Sequence, residues 1–111
     1  MNISKPLIQG AILTATAAVY YTAPIGTNTR ITQFAVTNTD TVNRTVTIYL
    51  TPASAVPTTA DIIISAKTLT PGETWVAYPL LGSTIAANGS IQALASAAGV
   101  VVVKASGVEL T

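Results

Sequence analysis

The sequence predicts an all-β protein: a single antiparallel β-sandwich of about eight short strands, with jelly-roll and Ig-like strand orders both open. Three observations predict it. The chain of 111 residues contains nineteen threonines and is rich in valine, and β-branched side chains favour strands over helices. Short apolar segments are separated by Pro, Gly and Asn turn signals at the spacing of a sandwich. No stretch shows a convincing amphipathic-helix period.

The chain length suits one domain. Residues 1–10 show no clear period and include Pro6, so we expect a loose N-terminal arm that is mobile alone or laid on a neighbouring molecule. Residues 11–111 form the predicted sandwich domain.

The first half of the sandwich contains the clearest strand signals. Residues 18–22 form a short strand that ends at a proline turn. Residues 30–38 alternate, with Phe34 and Val36 predicted on one face and Ile31 on the other. The connection 39–43 has hairpin length, so segment 30–38 is expected to pair with 44–50 as an antiparallel hairpin.

The second half continues the pattern of strands and turns. A loop between Pro52 and Pro57 is expected to include a helical turn near residues 58–61. Pro71-Gly72 fits the centre of a type II turn, and Asn88-Gly89 is a strong turn signal. The predicted strands of this half are 62–69, 73–81, 90–96 and 100–110.

Four consecutive valines, residues 100–103, begin the last strand. The run is far too short for a membrane span, which needs about 18 apolar residues. It predicts an inner strand buried on both faces, whose second face meets a partner or a covering loop. Lys104, where the strand is expected to leave the covered region, is interpreted as a charge that opposes aggregation. Gly107 is interpreted as a β-bulge.

Charge is scarce along the whole chain. Charged residues make up 8%, against roughly 25% in ordinary domains. The five basic residues are scattered, and nucleic-acid binding needs several phosphates neutralised together, so no direct nucleic-acid role is expected. Charged residues usually protect strand edges from pairing with other molecules. Here either the edges are short and Thr-rich, so that they do not aggregate, or partner subunits cover them. We favour the second interpretation.

The residues typical of catalysis are missing. The chain has no His and no Cys, and only four carboxylates, each interpreted as a turn or edge charge. We therefore expect a protein that is not an enzyme, with no catalytic residues, cofactor or metal. The N-terminus lacks the apolar region of a signal peptide, which indicates folding in a cytoplasm.

The aromatic residues leave two interpretations open. Trp75 in an alternating strand is more often a core residue than a stacking platform. Tyr49 and Tyr78 suit an interface, where an apolar ring with a polar tip is favoured.

The stretch from Ala18 to Leu110 resembles small structural proteins of tailed bacteriophages. The segments that carry the resemblance are "VYYTAPIGTNTRITQFAVTNTD", "RTVTIYLTP", "LTPGETW" and "SIQALASAAGVVVVKASGVEL". The resemblance implies a virion β-sandwich that acts as a capsid decoration (cement) protein or as a tail or neck accessory. It carries over no catalytic residues.

The resulting expectation is a non-enzymatic virion protein, assembled in the host cytoplasm, that binds the outside of the shell and bridges neighbouring subunits. Its expected partners are the major capsid protein and copies of itself, as a homo-oligomer or a lattice-bound chain, without nucleic acid or membrane. The alternatives are a tail, neck or fibre-attachment protein, and a carbohydrate-binding module that stacks sugars on Tyr20, Tyr21, Tyr49, Tyr78 or Trp75. The candidate partner-binding residues are Met1, Ile3, Lys5, Pro6, Leu7, Ile8, Tyr49 and Tyr78.

Overall fold

The structure is a computed structural model that describes residues 2–52 and 57–110. The described residues form nine strands and two short 3₁₀ turns. The strands are β1 (Asn2–Ile12), β2 (Ala18–Thr22), β3 (Asn28–Asn38), β4 (Arg44–Thr51), β5 (Ile62–Leu69), β6 (Thr74–Val76), β7 (Thr84–Ile85), β8 (Ser90–Ala95) and β9 (Val101–Leu110). The 3₁₀ turns are Thr59–Asp61 and Tyr78–Leu80.

The strands form two antiparallel sheets. Sheet A has the order β1-β9-β3-β6, with β7 also pairing with β3, and sheet B has the order β2-β8-β4-β5. The pairs are nested along the chain: β4 with β5, β3 with β6, β2 with β8 and β1 with β9. This nesting is the jelly-roll arrangement of two Greek keys. The all-β sandwich prediction is confirmed, and the strand order is that of a jelly roll.

The core lies between the inner faces of the two sheets. Phe34 is fully buried at its centre, with Ile31 and Val36 from the same strand. Sheet B contributes Ile48 and Ile91 from the opposite side. Period-2 alternation produces this arrangement because successive side chains point to opposite faces of a strand.

Strand β9 is an inner strand, as the valine run predicted, since it lies between β1 and β3. The predicted burial of both faces is wrong, because the chain buries only one of them. Val101 and Val103 are fully buried, whereas Val102, on the other face, is only half-buried. Lys104 is exposed where the outer face becomes polar.

The bulges lie beside Gly107 rather than at it. The register shifts fall in β1 between Pro6 and Ile8 and in β3 between Ile31 and Gln33. A Cβ atom at Gly107 would overlap the Arg30 carbonyl oxygen, so the glycine allows close approach of two strands. The expected bulge at Gly107 is therefore corrected to two bulges in its neighbours.

The N-terminal segment expected to be a loose arm is strand β1, paired with β9 from Asn2 to Ile12. Leu7 and Ile8 are buried in the core, so this segment belongs to the sandwich. Its period is hidden in the sequence because two register shifts and Pro6 interrupt the alternation. Met1 lies outside the described residues.

The hairpin expected between segments 30–38 and 44–50 is wrong. β3 belongs to sheet A and β4 to sheet B, so residues 39–43 cross between the sheets. Asn38 holds this crossing: its Nδ2 donates to the carbonyls of Val42 at 3.0 Å and Leu69 at 2.9 Å. Ile31 is also buried on the same face as Phe34, since the bulge in β3 reverses the alternation between them.

The predicted turns are confirmed. Gly72 has a φ of +76°, and the Glu73 amide donates to the Thr70 carbonyl at 3.0 Å, as in a type II turn. Asn88 has a φ of +69°, and the expected helical turn is present at Thr59–Asp61. No helix in residues 2–52 and 57–110 is long and apolar enough to cross a membrane.

Candidate functional site

The outer face of sheet A, directed away from sheet B, contains a surface groove. The groove has a volume of about 480 Å³ and lies along β9, between β1 and β3. It is lined by Pro6, Ile8, Gln9, Gln33, Ala35, Lys104, Ala105 and Ser106.

Bulges on both sides of β9 shape this groove. In β3 the extra residue between Ile31 and Gln33 lets Ile31 and Phe34 share the core face, and it leaves Gln33 exposed. In β1 a second register shift, between Ile8 and Ala11, includes Gly10 at a φ of +108°. Bulges bend a strand and redirect its side chains. The bulges in β1 and β3 therefore determine the shape of the groove. Its rim is polar.

Two basic residues of this face have no acidic partner within the described part of the chain. Of the five basic side chains, Lys5 and Arg44 form ion pairs and Lys67 lies over an aromatic ring. Arg30 and Lys104 do neither, and both are exposed on the outer face of sheet A. Their charge is left for solvent or for a partner.

The four carboxylates all lie elsewhere. Glu109 is directed between the sheets, and Asp40, Asp61 and Glu73 belong to the connections between strands. The outer face of sheet A thus carries two positive charges and no negative one. A face with this charge attracts acidic partners and repels basic ones.

A polar cluster crosses the sandwich at the end where β1 begins. The Tyr21 hydroxyl, from sheet B, donates to Glu109 Oε2 at 2.6 Å and lies 2.7 Å from Thr29 Oγ1. Because the tyrosine proton goes to the carboxylate, the threonine hydroxyl donates to the tyrosine oxygen. Lys5 Nζ lies 3.5 Å from the same Glu109 oxygen. The cluster links β2 to three strands of sheet A.

The environment of Tyr21 keeps its hydroxyl protonated. Burial, then the hydrogen bond to Glu109 and its negative charge, raise the pKa of Tyr21 to about 12. Glu109 is itself only 8% exposed, and its oxygen is shared between a phenol and an ammonium group. These groups neutralise one another, which indicates a structural cross-link rather than a site poised for proton transfer.

A second buried polar cluster lies in sheet B. Gln92 Nε2 donates to Thr51 Oγ1 and to Ser90 Oγ, at 3.2 Å in each case, and the two hydroxyls are hydrogen-bonded to each other. All three side chains are at most 6% exposed. Tyr49 is directly opposite Gln92 in the strand register and is half-buried.

The predicted partner-binding residues separate into two groups. Ile3, Lys5 and Pro6 are exposed on β1, and Ile3 is 47% exposed. Leu7 and Ile8 are core residues, only 8% and 5% exposed, so their side chains are unavailable to a partner and that assignment is corrected.

The aromatic residues differ in their exposure and position. Trp75 packs against the core from the edge strand β6, and Lys67 Nζ lies 5.2 Å from its ring centroid. Tyr78, in the 3₁₀ turn after β6, is 69% exposed. The structure therefore brings Pro6 and Lys5 to one edge of sheet A and places Tyr78 at the opposite edge.

The acidic residues of the loops are used locally. Asp40 accepts from the Arg44 Nε at 2.7 Å and from the Thr41 amide at 2.7 Å, and these contacts lower its pKa. Glu73 accepts from the Thr70 amide at 2.8 Å, which lowers its pKa as well. Among the described residues no group of three or more His, Cys, Asp or Glu side chains could hold a metal ion.

Sequence reasoning missed Arg30, Gln9 and Gln33 as members of one surface. Gln33 and Arg30 were visible only as polar residues in an alternating strand, and Gln9 lay in the segment expected to be an arm. Their proximity depends on the β1-β9-β3 pairing, which no local pattern encodes.

No protein-family model matches the chain, and no curated protein or solved structure is significantly similar to it. The functional argument therefore depends on the residues and geometry of this chain.

Proposed function

We propose that this protein is a non-enzymatic structural protein of a phage particle, and specifically a capsid decoration protein that binds the outside of the shell. It would bridge neighbouring subunits of the major capsid protein, alone or as a small homo-oligomer. The observation that carries the proposal is the outer face of sheet A: a broad, polar, groove-bearing surface with unpartnered positive charge.

The size of this surface supports attachment to a protein lattice. The molecule measures 43 × 26 × 20 Å, and the thickness of a two-sheet sandwich is its smallest dimension. The broad side of the molecule is therefore of the same order as the ~800 Å² per partner of a standard interface. The jelly roll is also an architecture that viral capsid proteins use, although fold alone never specifies function.

The scarcity of charge supports the same proposal. Only 8% of the residues are charged, which is far less than on a typical soluble surface. This scarcity favours a surface that a partner covers in the assembled particle. Strands β1 and β5 nevertheless carry edge protection. Pro6, Lys67 and the register shifts in both strands oppose uncontrolled strand pairing. Controlled binding through a face, with edges blocked, fits a decoration protein.

The test is addition of the purified protein to shells that lack it, followed by heating. Binding to the assembled shell adds stability of RT ln(1 + [L]/Kd), about 2.7 kcal/mol per site at a hundredfold excess over Kd. We expect saturable binding in hundreds of copies and a raised temperature of shell rupture. No binding, or binding without any change in rupture temperature, would overturn the proposal.

Copy number separates decoration from the alternative of a tail, neck or fibre-attachment protein. Quantitative mass spectrometry of purified particles should give hundreds of chains per particle for decoration. A small fixed number, set by the symmetry of the tail or neck, would favour the alternative.

The carbohydrate-binding alternative depends on the aromatic side chains that the fold leaves exposed. Tyr78 is 69% exposed, and an accessible ring of this kind can stack on a sugar. Tyr21 and Trp75 are removed as platforms, because one donates internally and the other packs on the core. A glycan array with Tyr78→Ala as control tests it: wild-type binding that the variant loses would support this function.

A further inference from the structure

We infer that the groove face of sheet A, defined by Gln9, Arg30, Gln33, Lys104 and Ser106, binds an acidic, extended segment of its partner protein. This inference rests on the proposed function for the identity of the partner, the shell protein. Its chemistry comes from the side chains of the face itself.

The electrostatic part of the argument is the separation of charges. The face presents Arg30 and Lys104, both exposed and neither in an ion pair within the described residues. All four carboxylates of the chain lie between the sheets or in connections. The segment that best matches such a face carries Asp or Glu side chains and lacks Lys and Arg.

The spacing of the two cations favours an extended segment. Arg30 is paired in register with Val108, four residues along β9 from Lys104. At about 3.3 Å per residue this separates the cations by about 13 Å along the strand direction. Two carboxylates at positions i and i+4 of an extended chain are about as far apart and point to the same side.

The groove supplies the remaining contacts. The carboxamides of Gln9 and Gln33 and the hydroxyl of Ser106 line it, and each can donate to or accept from a peptide backbone. Its base includes Ala35, whose methyl group is small enough to let a backbone approach. The bulges in β1 and β3 hold the two carboxamides on either side of β9.

The first arm of the test uses a synthetic peptide. We would titrate isotope-labelled protein with an eight-residue peptide that has two glutamates four residues apart, and with its glutamine counterpart. The expected result is a set of amide NMR shifts confined to the five residues of the groove face and their immediate neighbours, with the glutamate peptide only. Equal shifts with both peptides, shifts elsewhere, or no shifts would overturn the inference.

The second arm uses shells that lack the protein. We expect R30E/K104E to weaken shell binding at least about tenfold, since each exposed pair contributes modestly and reversal adds repulsion. Higher salt should weaken wild-type binding and barely affect the variant. The control Lys67→Glu lies on β5, the edge strand of sheet B, and is compared with the single variants R30E and K104E, which change the charge by the same amount. It should bind like wild type, and melting curves confirm that all variants fold.

The two proposals fail differently. If wild type and R30E/K104E bind shells equally, the inference is overturned and the decoration function stands. If wild type does not bind shells, the decoration function is overturned and the peptide titration decides the inference alone.

Discussion

Replacing Tyr21 by Phe should destabilise the protein while leaving its core volume unchanged. The substitution removes one hydroxyl that donates at 2.6 Å to Glu109 and lies 2.7 Å from Thr29. A hydrogen bond to a charged group contributes about 1.5–3 kcal/mol. Glu109 is only 8% exposed, so water replaces the lost donor poorly. We therefore expect the free energy of unfolding at pH 7 to fall by about 2 kcal/mol.

The same hydroxyl makes a pH-dependent contribution whose sign follows from its pKa. In the folded protein the pKa of Tyr21 is raised from 10.0 to about 12. The stabilisation is therefore complete below pH 10 and is lost as the pH rises from 10 towards 12. The full rise would correspond to about 2.7 kcal/mol. Since Tyr21 is half-buried and water screens its interactions, we expect about 1 kcal/mol.

The assay is urea unfolding between pH 7 and pH 11.5, followed by the fluorescence of Trp75. The difference between wild type and Tyr21→Phe is the quantity of interest, because effects of alkaline pH that are common to both proteins cancel in it. Tyr20→Phe is the matched control, because no hydrogen bond of the Tyr20 hydroxyl is present among the described residues. The reasoning is refuted if both variants lose equal stability at pH 7, or if the difference stays constant up to pH 11.5.

Three further predictions concern packing and loops. Gly107→Ala should lower the free energy of unfolding by about 1–3 kcal/mol through overpacking. The control Ser106→Ala, at an exposed neighbour, should change it by less than about 0.5 kcal/mol. Equal losses for the two variants in chemical denaturation would contradict the close approach of the strands. Asn38→Ala should cost about 1–3 kcal/mol, because the buried Leu69 carbonyl and the partly buried Val42 carbonyl lose their donor. An unchanged denaturation midpoint would show that the crossing holds without it. Lys67→Met should shift the emission of Trp75, and an identical spectrum would mean that the ammonium group does not lie over the ring in solution.

The fold class was predictable from the sequence because alternation and turn residues act locally. Thr-rich alternating segments require strands, and Pro71-Gly72 requires a φ that only glycine adopts easily. The pairing of β3 was not predictable, since a period of two assigns faces but not neighbours. The short connection 39–43 suggested a hairpin, but the contacts of Asn38 with the carbonyls at 42 and 69 hold it as a crossing.

The candidate surface was less predictable than the fold. Bulges displaced the alternation in β1 and β3, so the core residues Leu7 and Ile31 were interpreted as an arm residue and as an outward residue. The pairing of Tyr21 with Glu109, 88 positions later, requires the two sheets to be assembled. What the sequence did indicate correctly was an inner final strand; Lys104 lies within it and is exposed.

The nested strand order has a consequence for how the chain folds as it is made. The β4–β5 pair joins near neighbours, whereas β1 pairs with β9 across the whole sequence, with Asn2 opposite Leu110. Closing long loops slows folding, and β1 cannot pair until residues 101–110 have left the ribosome. A chain stalled before β9 should therefore keep residues 2–12 open to protease, and the Tyr21–Glu109 link would form only after β9 is made. Binding by the outer face of sheet A would then be delayed until that point, because the face does not exist before β9 is in place.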